Sequence, residues 1–195
     1  MSGNVVLETL RHAWQTLEPI HAPMAVMGGL ALAAWQHVRA TQDVDLLVGT
    51  ELEKIPEVLK RMESAGFRAK NSPPTKTLGD IRLIQFLYQP SAILVDIQVD
   101  LIIVESAYHR TALSRCLATR LPGLDTEIRV LACEDLILHK LLAGRIVDRA
   151  DVVALLLANR AALDTAYLLQ WSGRLGLNED LVEAWGAAFH GERLV

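Results

Sequence analysis

MAVMGGLALAAWQHVRATQDVDLLV, residues 24–48, divides into three parts whose order sets the reading of the whole chain. Residues 24–27 are a short apolar run suited to a buried strand. Gly28 and Gly29 follow, where the backbone is able to take positive φ and approach a ligand closely. Residues 30–36, rich in alanine and leucine and including Trp35, predict a helix. The glycines therefore stand where a strand hands over to a helix N-terminus. Such a junction presents unpaired N–H groups and a positive dipole end, which suits an anion such as phosphate.

Beyond Arg39 and Thr41 comes DVDLLV, residues 43–48, a strand by residue type apart from its two acids. Side chains alternate along a strand, so Asp43 and Asp45 share one face while Val44 and Leu46 take the other. Two carboxylates held so close repel each other unless a cation lies between them, and the oxygen-seeking Mg²⁺ is the natural candidate. Residues 92–104, AILVDIQVDLIIV, predict a second strand that is apolar except for Asp96, Gln98 and Asp100, again on one face. Either Asp96 or Asp100 is placed to complete a metal site. A glycine turn, a helix, paired acids and a later strand acid, in that order, suit phosphoryl or nucleotidyl transfer with two metal ions.

The remaining chain supports this stretch. Residues 5–18 have helical apolar spacing and end at Pro19, and Leu52, Ile55, Val58, Leu59 and Met62 mark another helix that stops near Gly66. Residues 67–69 suggest a short strand, 71–79 (NSPPTKTLG) a loop, and 81–88 a strand forming a hairpin with 92–104. A helix over 106–118, a strand over 127–131 and four helices from Cys133 onward complete the reading. The expected fold is α+β, a mixed β-sheet core over residues 1–131 flanked by helices, with a helical bundle over 132–195 packed on it.

Composition narrows the function. The 195 residues carry 19 Lys and Arg against 23 Asp and Glu, a net charge of −4, with the cations dispersed. Arg110, Arg115 and Arg120 recur at five-residue intervals, which spreads them around a helix. A large nucleic-acid footprint is therefore disfavoured. No apolar run approaches the ~20 residues that span a bilayer, and no basic segment leads into an apolar one at the N-terminus, so a cytoplasmic protein is expected. Cys116 and Cys133 lack zinc-site spacing and read as reduced packing residues in helical or pre-helical segments.

The pattern apolar-Gly-Gly, helix, Arg-x-Thr-x-Asp-Val-Asp-Leu resembles the DNA polymerase β-like nucleotidyltransferase superfamily. A second block, VLACEDLILHKLLAGRIVDRADVVALL at residues 130–156, is similar to the signature of its bacterial AbiEii-toxin branch. The resemblance covers residues 24–157. It implies an enzyme that moves a nucleoside monophosphate from an NTP to an acceptor hydroxyl, with Mg²⁺ or Mn²⁺ on Asp43, Asp45 and Asp100. The resemblance favours Asp100 over Asp96 as the third acid. By the same resemblance Gly28 and Gly29 hold phosphates and Lys140 touches the triphosphate. Arg39 and Thr41 contact phosphate or position the acid strand, and Arg145, Asp148 and Asp151 face the nucleotide. Acceptors compatible with it are a tRNA end, a protein side chain or a small molecule such as an aminoglycoside or lincosamide, and an antitoxin is the implied partner. The alternative is a catalytically degenerate module that binds a nucleotide or a partner for regulation.

Overall fold

The computed structural model describes residues 2–78, 81–91, 93–190, 192 and 194. Gly79 and Ala92, at the edges of the expected loop and strand, lie outside them. Helix α1 (Ser2–Leu17) buries Val6, Leu10, Ala13 and Leu17, a stripe at helical spacing, and a 3₁₀ turn with Pro19 ends it. Strand β1 (Met24–Met27) is buried throughout and leads directly into α2 (Gly28–Ala31). Strand β2 (Asp43–Val48) and helix α3 (Ile55–Ser64) come next.

Two short strands, β3 (Arg68–Ala69) and β4 (Thr75–Leu78), pair with different parts of β5 (Ile81–Tyr88). Residues 75–78 were expected to be loop. The sequence TKTL has no core face of its own, and its pairing with β5 supplies the order that composition does not. Strand β6 spans Ile97–Ile103, shorter than the expected 92–104, and runs antiparallel to β5 as the hairpin reading required.

Helix α4 (Ala107–Ser114) also stops early, because Leu117–Thr119 form strand β7 against β8 (Ile128–Val130). Arg120 consequently lies beyond the helix, and Cys116 sits between helix and strand. The strand order is β3-β5-β6-β2-β1-β8-β7, with β4 beside β3 on the same edge of β5. The sheet is mixed: β2 runs parallel to β6, antiparallel to β1, and β1 is parallel to β8.

Helices α5 (Cys133–Ala143), α6 (Ile146–Asn159), α7 (Thr165–Leu175) and α8 (Asn178–Ala188) follow the last strand. Helix α5 is buried from Cys133 to Leu141, charged residues included, because α6, α7 and α2 pack around it. Trp35 Nε1 donates to the Leu131 carbonyl at 2.9 Å, and Asn159 Nδ2 donates to the Trp35 carbonyl at 3.0 Å. These bonds tie the segment after α2 to both β8 and α6, and so fix the helices against the sheet.

Candidate active site

Register brings the acids together. Asp45 pairs with Asp100 across the parallel β2–β6 ladder and Asp43 pairs with Gln98, while Met27 lies opposite Asp45 on β1. Adjacent strands stand about 4.8 Å apart, so Asp45 and Asp100 are neighbours and Asp43 is one pleat away on the same face. Val44, Leu46, Val99 and Leu101 point to the other face and are fully buried, which locks the register, since a slip of one residue would put the acids in the core.

The two glycines have a steric reason. Gly28 has φ +63°, and a Cβ there would stand 1.8 Å from Asp45 Oδ2; a Cβ on Gly29 would stand 2.5 Å from Thr41 Oγ1. Only glycine lets the Asp45 carboxylate lie against the backbone where α2 begins. Helix α2 starts at Gly28 itself and is a single α turn continued by a 3₁₀ turn over Leu32–Trp35, in place of the expected helix over 30–36. No side chain caps its N-terminus.

Crowding sets the electrostatics. Burial, followed by the charges of Asp43 and Asp100, pushes Asp45 up to about 7, with Lys140 and Arg145 pulling the other way. Burial also raises Asp100, opposed by amide hydrogen bonds from Gln85 and Gln98. Gln98 Nε2 donates to both Asp100 oxygens at 2.9 and 3.0 Å, and Gln85 Nε2 does so at 3.2 and 3.3 Å. Lys70 donates to Gln98 Oε1, and Asn71 Nδ2 donates to Gln85 Oε1 at 3.2 Å. Lysine only donates, so Gln98 must turn its oxygen to Lys70 and its NH₂ to Asp100. Thr41 Oγ1 donates to Asp43 Oδ1 at 2.5 Å.

Among the described residues no three carboxylate, imidazole or thiol groups close into a finished metal shell. The donor chemistry nonetheless fits a hard divalent cation: three carboxylates share one face of the β2–β6 pair, and Asp45 is driven toward protonation first by burial and then by the other two. Cys116 and Cys133 are free, buried thiols pushed up to about 12 by burial, consistent with packing.

A second group of acids is arranged differently. Lys140 is buried, and its Nζ lies 2.8 Å from both Asp148 and Asp151. Arg39 grips Asp151 with Nε and Nη2, each at 2.8 Å, and His37 adds a contact at 3.2 Å. Arg145 reaches Asp148 at 2.6 Å. Asp96 falls before β6 and outside its alternation, and Arg68 holds both its oxygens at 2.7 and 2.9 Å. It therefore does not share the Asp100 face as a strand residue.

Sequence reasoning passed over Gln85, Asn71 and Lys70. The available signal was Gln85, an amide set between apolar Ile84 and Phe86 in a strand whose neighbour carries the acid.

A mixed sheet with carboxylates in register on its parallel β2–β6 pair, beside a glycine-started helix with no side-chain cap, defines a nucleotidyltransferase-like protein. The family described as nucleotidyl transferase AbiEii toxin, type IV toxin–antitoxin system, matches residues 13–193, and the chain belongs to it.

Solved structures agree on the fold. The antibiotic-resistance factor ANT(2'')-Ia is 15% identical with a TM-score of 0.59, covering 92% of this chain and 97% of its own. A nucleotidyltransferase-like antigen from Paracoccidioides brasiliensis is 18% identical with a TM-score of 0.52, covering 95% and 97%. The lincosamide antibiotic adenylyltransferase LnuA is 11% identical with a TM-score of 0.52, covering 76% and 94%. No curated protein matches the chain. Among the described residues no helix is long and apolar enough to cross a membrane.

Proposed function

We propose that the chain transfers a nucleoside monophosphate from an NTP to an acceptor hydroxyl and releases pyrophosphate, as the toxin of a toxin–antitoxin pair. The observation that carries this reading is the set of three carboxylates in register on β2 and β6, against the glycine start of α2. Asp43, Asp45 and Asp100 are the residues that would hold Mg²⁺ or Mn²⁺. When bound, such an ion neutralises charge on the triphosphate and lowers the proton affinity of the acceptor oxygen.

The chain's own groups do the rest. The N–H groups of Gly28 and Gly29 and the cations Lys140, Arg39 and Arg145 bind the triphosphate, while Thr41 orients Asp43. The acceptor oxygen forms a bond to the α-phosphorus, and the bridging α–β bond breaks with its electron pair leaving on pyrophosphate. The hydroxyl proton passes to Asp100, held in place by Gln85 and Gln98.

Calorimetric titration of each NTP with and without Mg²⁺ or Mn²⁺ tests the reading. Affinity that depends on the metal, and that disappears in Asp43→Asn/Asp45→Asn, is the expected result. Unchanged metal-dependent affinity in the double variant would count against the site.

A further inference from the structure

The transfer reading leaves the acceptor open, and the surroundings of Asp43 narrow it. One cavity, about 790 Å³, opens at Gly49 and Val104, the far ends of β2 and β6 from Asp43 and Gln98. A second, of about 620 Å³, opens beside Asp43, with Thr41, Gln42 and Gln98 on its wall. The remaining lining is Val5 and Val6 of α1, Leu87 of β5, and Ile93, Val95, Asp96 and Ile97 ahead of and at the start of β6.

Three properties of this cavity bear on its occupant. Its volume is that of a site for a drug-sized molecule, within the usual range of about 300–1,000 Å³. Among the described residues the charged groups on its wall are Asp43 and Asp96, and the cations at its border are engaged there, Arg68 with both oxygens of Asp96 and Lys70 with Gln98 Oε1. Its mouth is apolar, with Val95 64% exposed there. The cations that suit a triphosphate, Lys140, Arg39 and Arg145, belong to the α5–α6 side instead. With Asp96 paired to Arg68 and Asp43 assigned to the metal, the wall itself offers no lysine or arginine to pair with a phosphodiester, whereas an apolar body finds Val5, Leu87, Ile93 and Val95 there.

We infer that this cavity takes the acceptor, and that the acceptor is a small hydroxylated molecule, uncharged or cationic, with an apolar body. The inference rests on the nucleotidyl-transfer reading and specifies its second substrate. The acceptor's hydroxyl lies toward Asp43 and the neighbouring Asp100, its apolar part against Val5, Leu87, Ile93 and Val95. Bond changes are those of the transfer itself: oxygen to α-phosphorus formed, α–β bridge broken, proton to Asp100.

The test incubates the full chain with α-labelled NTPs, Mg²⁺ and three fractions of a cell extract: the small-molecule filtrate, total RNA, and protein. Label is expected in the filtrate. Val95→Arg, at an exposed position that tolerates a long side chain, is expected to raise the half-saturating amount of filtrate by about tenfold, the low end for disturbing an apolar pocket, with NTP affinity unchanged. Leu94→Arg, one residue away and off the cavity wall, is expected to leave that value unchanged. Label in RNA or protein overturns the inference, as does filtrate labelling indifferent to Val95→Arg, or metal-dependent NTP binding with no labelled fraction. Absence of metal-dependent NTP binding in the unmodified chain defeats the transfer reading too, and so is distinguishable from failure of the acceptor assignment alone.

Discussion

Asp45 and Asp151 both feel the charge of Lys140 and are set in opposite ways. Asp45 is crowded by Asp43 and Asp100 and is pushed up to about 7, first by burial and then by those charges. Asp151 also suffers from burial, yet hydrogen bonds from Arg39 and Lys140 outweigh it and bring the carboxyl down to about 2. One region is short of positive charge and the other is saturated with it. The difference teaches that an acid's burial does not by itself say what the acid is for. The Asp148–Asp151 pair already has its cations and acts as an anchor for them, whereas the β2–β6 acids have a deficit that a bound cation relieves.

The largest expected effect breaks the saturated side. Lys140→Met keeps the side-chain stem and removes a buried charge that neutralises two carboxylates. Each acid retains one arginine, so the cost should sit near the low end for breaking a buried ion pair, about 3 kcal/mol, read as a lower midpoint in urea at unchanged slope. A change within about 0.5 kcal/mol, the range of ordinary surface substitutions, would show Lys140 to be dispensable to the fold.

The next effect belongs to the crowded side and concerns rate. Asp100→Asn removes the proton acceptor while leaving Asp43 and Asp45, so turnover should fall on the order of 10²-fold, about 2.7 kcal/mol, with NTP affinity largely kept. Asp96→Asn, on the wall of the acceptor cavity but away from the reacting oxygen, should keep the single-turnover rate at saturating acceptor and weaken a partly exposed ion pair with Arg68. Single-turnover measurements on both variants decide the matter. A silent Asp96→Asn beside a fully active Asp100→Asn would transfer the third-acid role to Asp96.

Much of this was legible in the chain, and what was not has identifiable causes. The strand over 24–27, the paired acids and all four C-terminal helices follow from periodicity, because each buries a continuous apolar stripe or run that local sequence encodes. The strands β4 and β7 do not follow from it: TKTL and LAT are too short and too polar or exposed to carry a pattern, and only their partners on β5 and β8 define them. The early stop of α4 has the same origin. At the site, alternation gave the shared face of Asp43 and Asp45, but grouped Asp96 with Asp100 on the other strand; that β6 starts after Asp96 and lies beside β2 depends on strand pairing beyond any local pattern. The burial of Lys140 was not readable either, since it depends on α6 carrying Asp148 and Asp151 onto α5, a long-range packing event. The Asn71–Gln85–Asp100 chain likewise depends on how β3 and β5 meet, which no local window contains.

The smallest effect is also the sharpest test of the contrast, because it varies with pH on one side of the site and not on the other. In the unfolded chain Asp45 ionises near its ordinary value of about 3.9, while in the folded chain it does so near 7. Between those values the native state holds a proton that the unfolded state has released, so native stability from this group is greatest in acid and is lost as pH rises through about 7. From pH 6 to pH 8 the loss amounts to about 1.4 kcal/mol, one pKa unit's worth of free energy. Asp45→Asn cannot lose that proton. In a chelating buffer the variant should therefore gain about that much relative to the unmodified chain between the two pH values, and added Mg²⁺ should stabilise the unmodified chain more than the variant at pH 8. Asp151 behaves oppositely: its contribution is complete above about pH 4 and is lost only as pH falls through about 2, so the deficit of Asp151→Asn should be the same at pH 6 and pH 8. Urea denaturation of the three proteins at both pH values measures all of this at once, and a difference between Asp45→Asn and the unmodified chain that stays constant from pH 6 to 8 would mean that burial and crowding together do not raise Asp45 in solution.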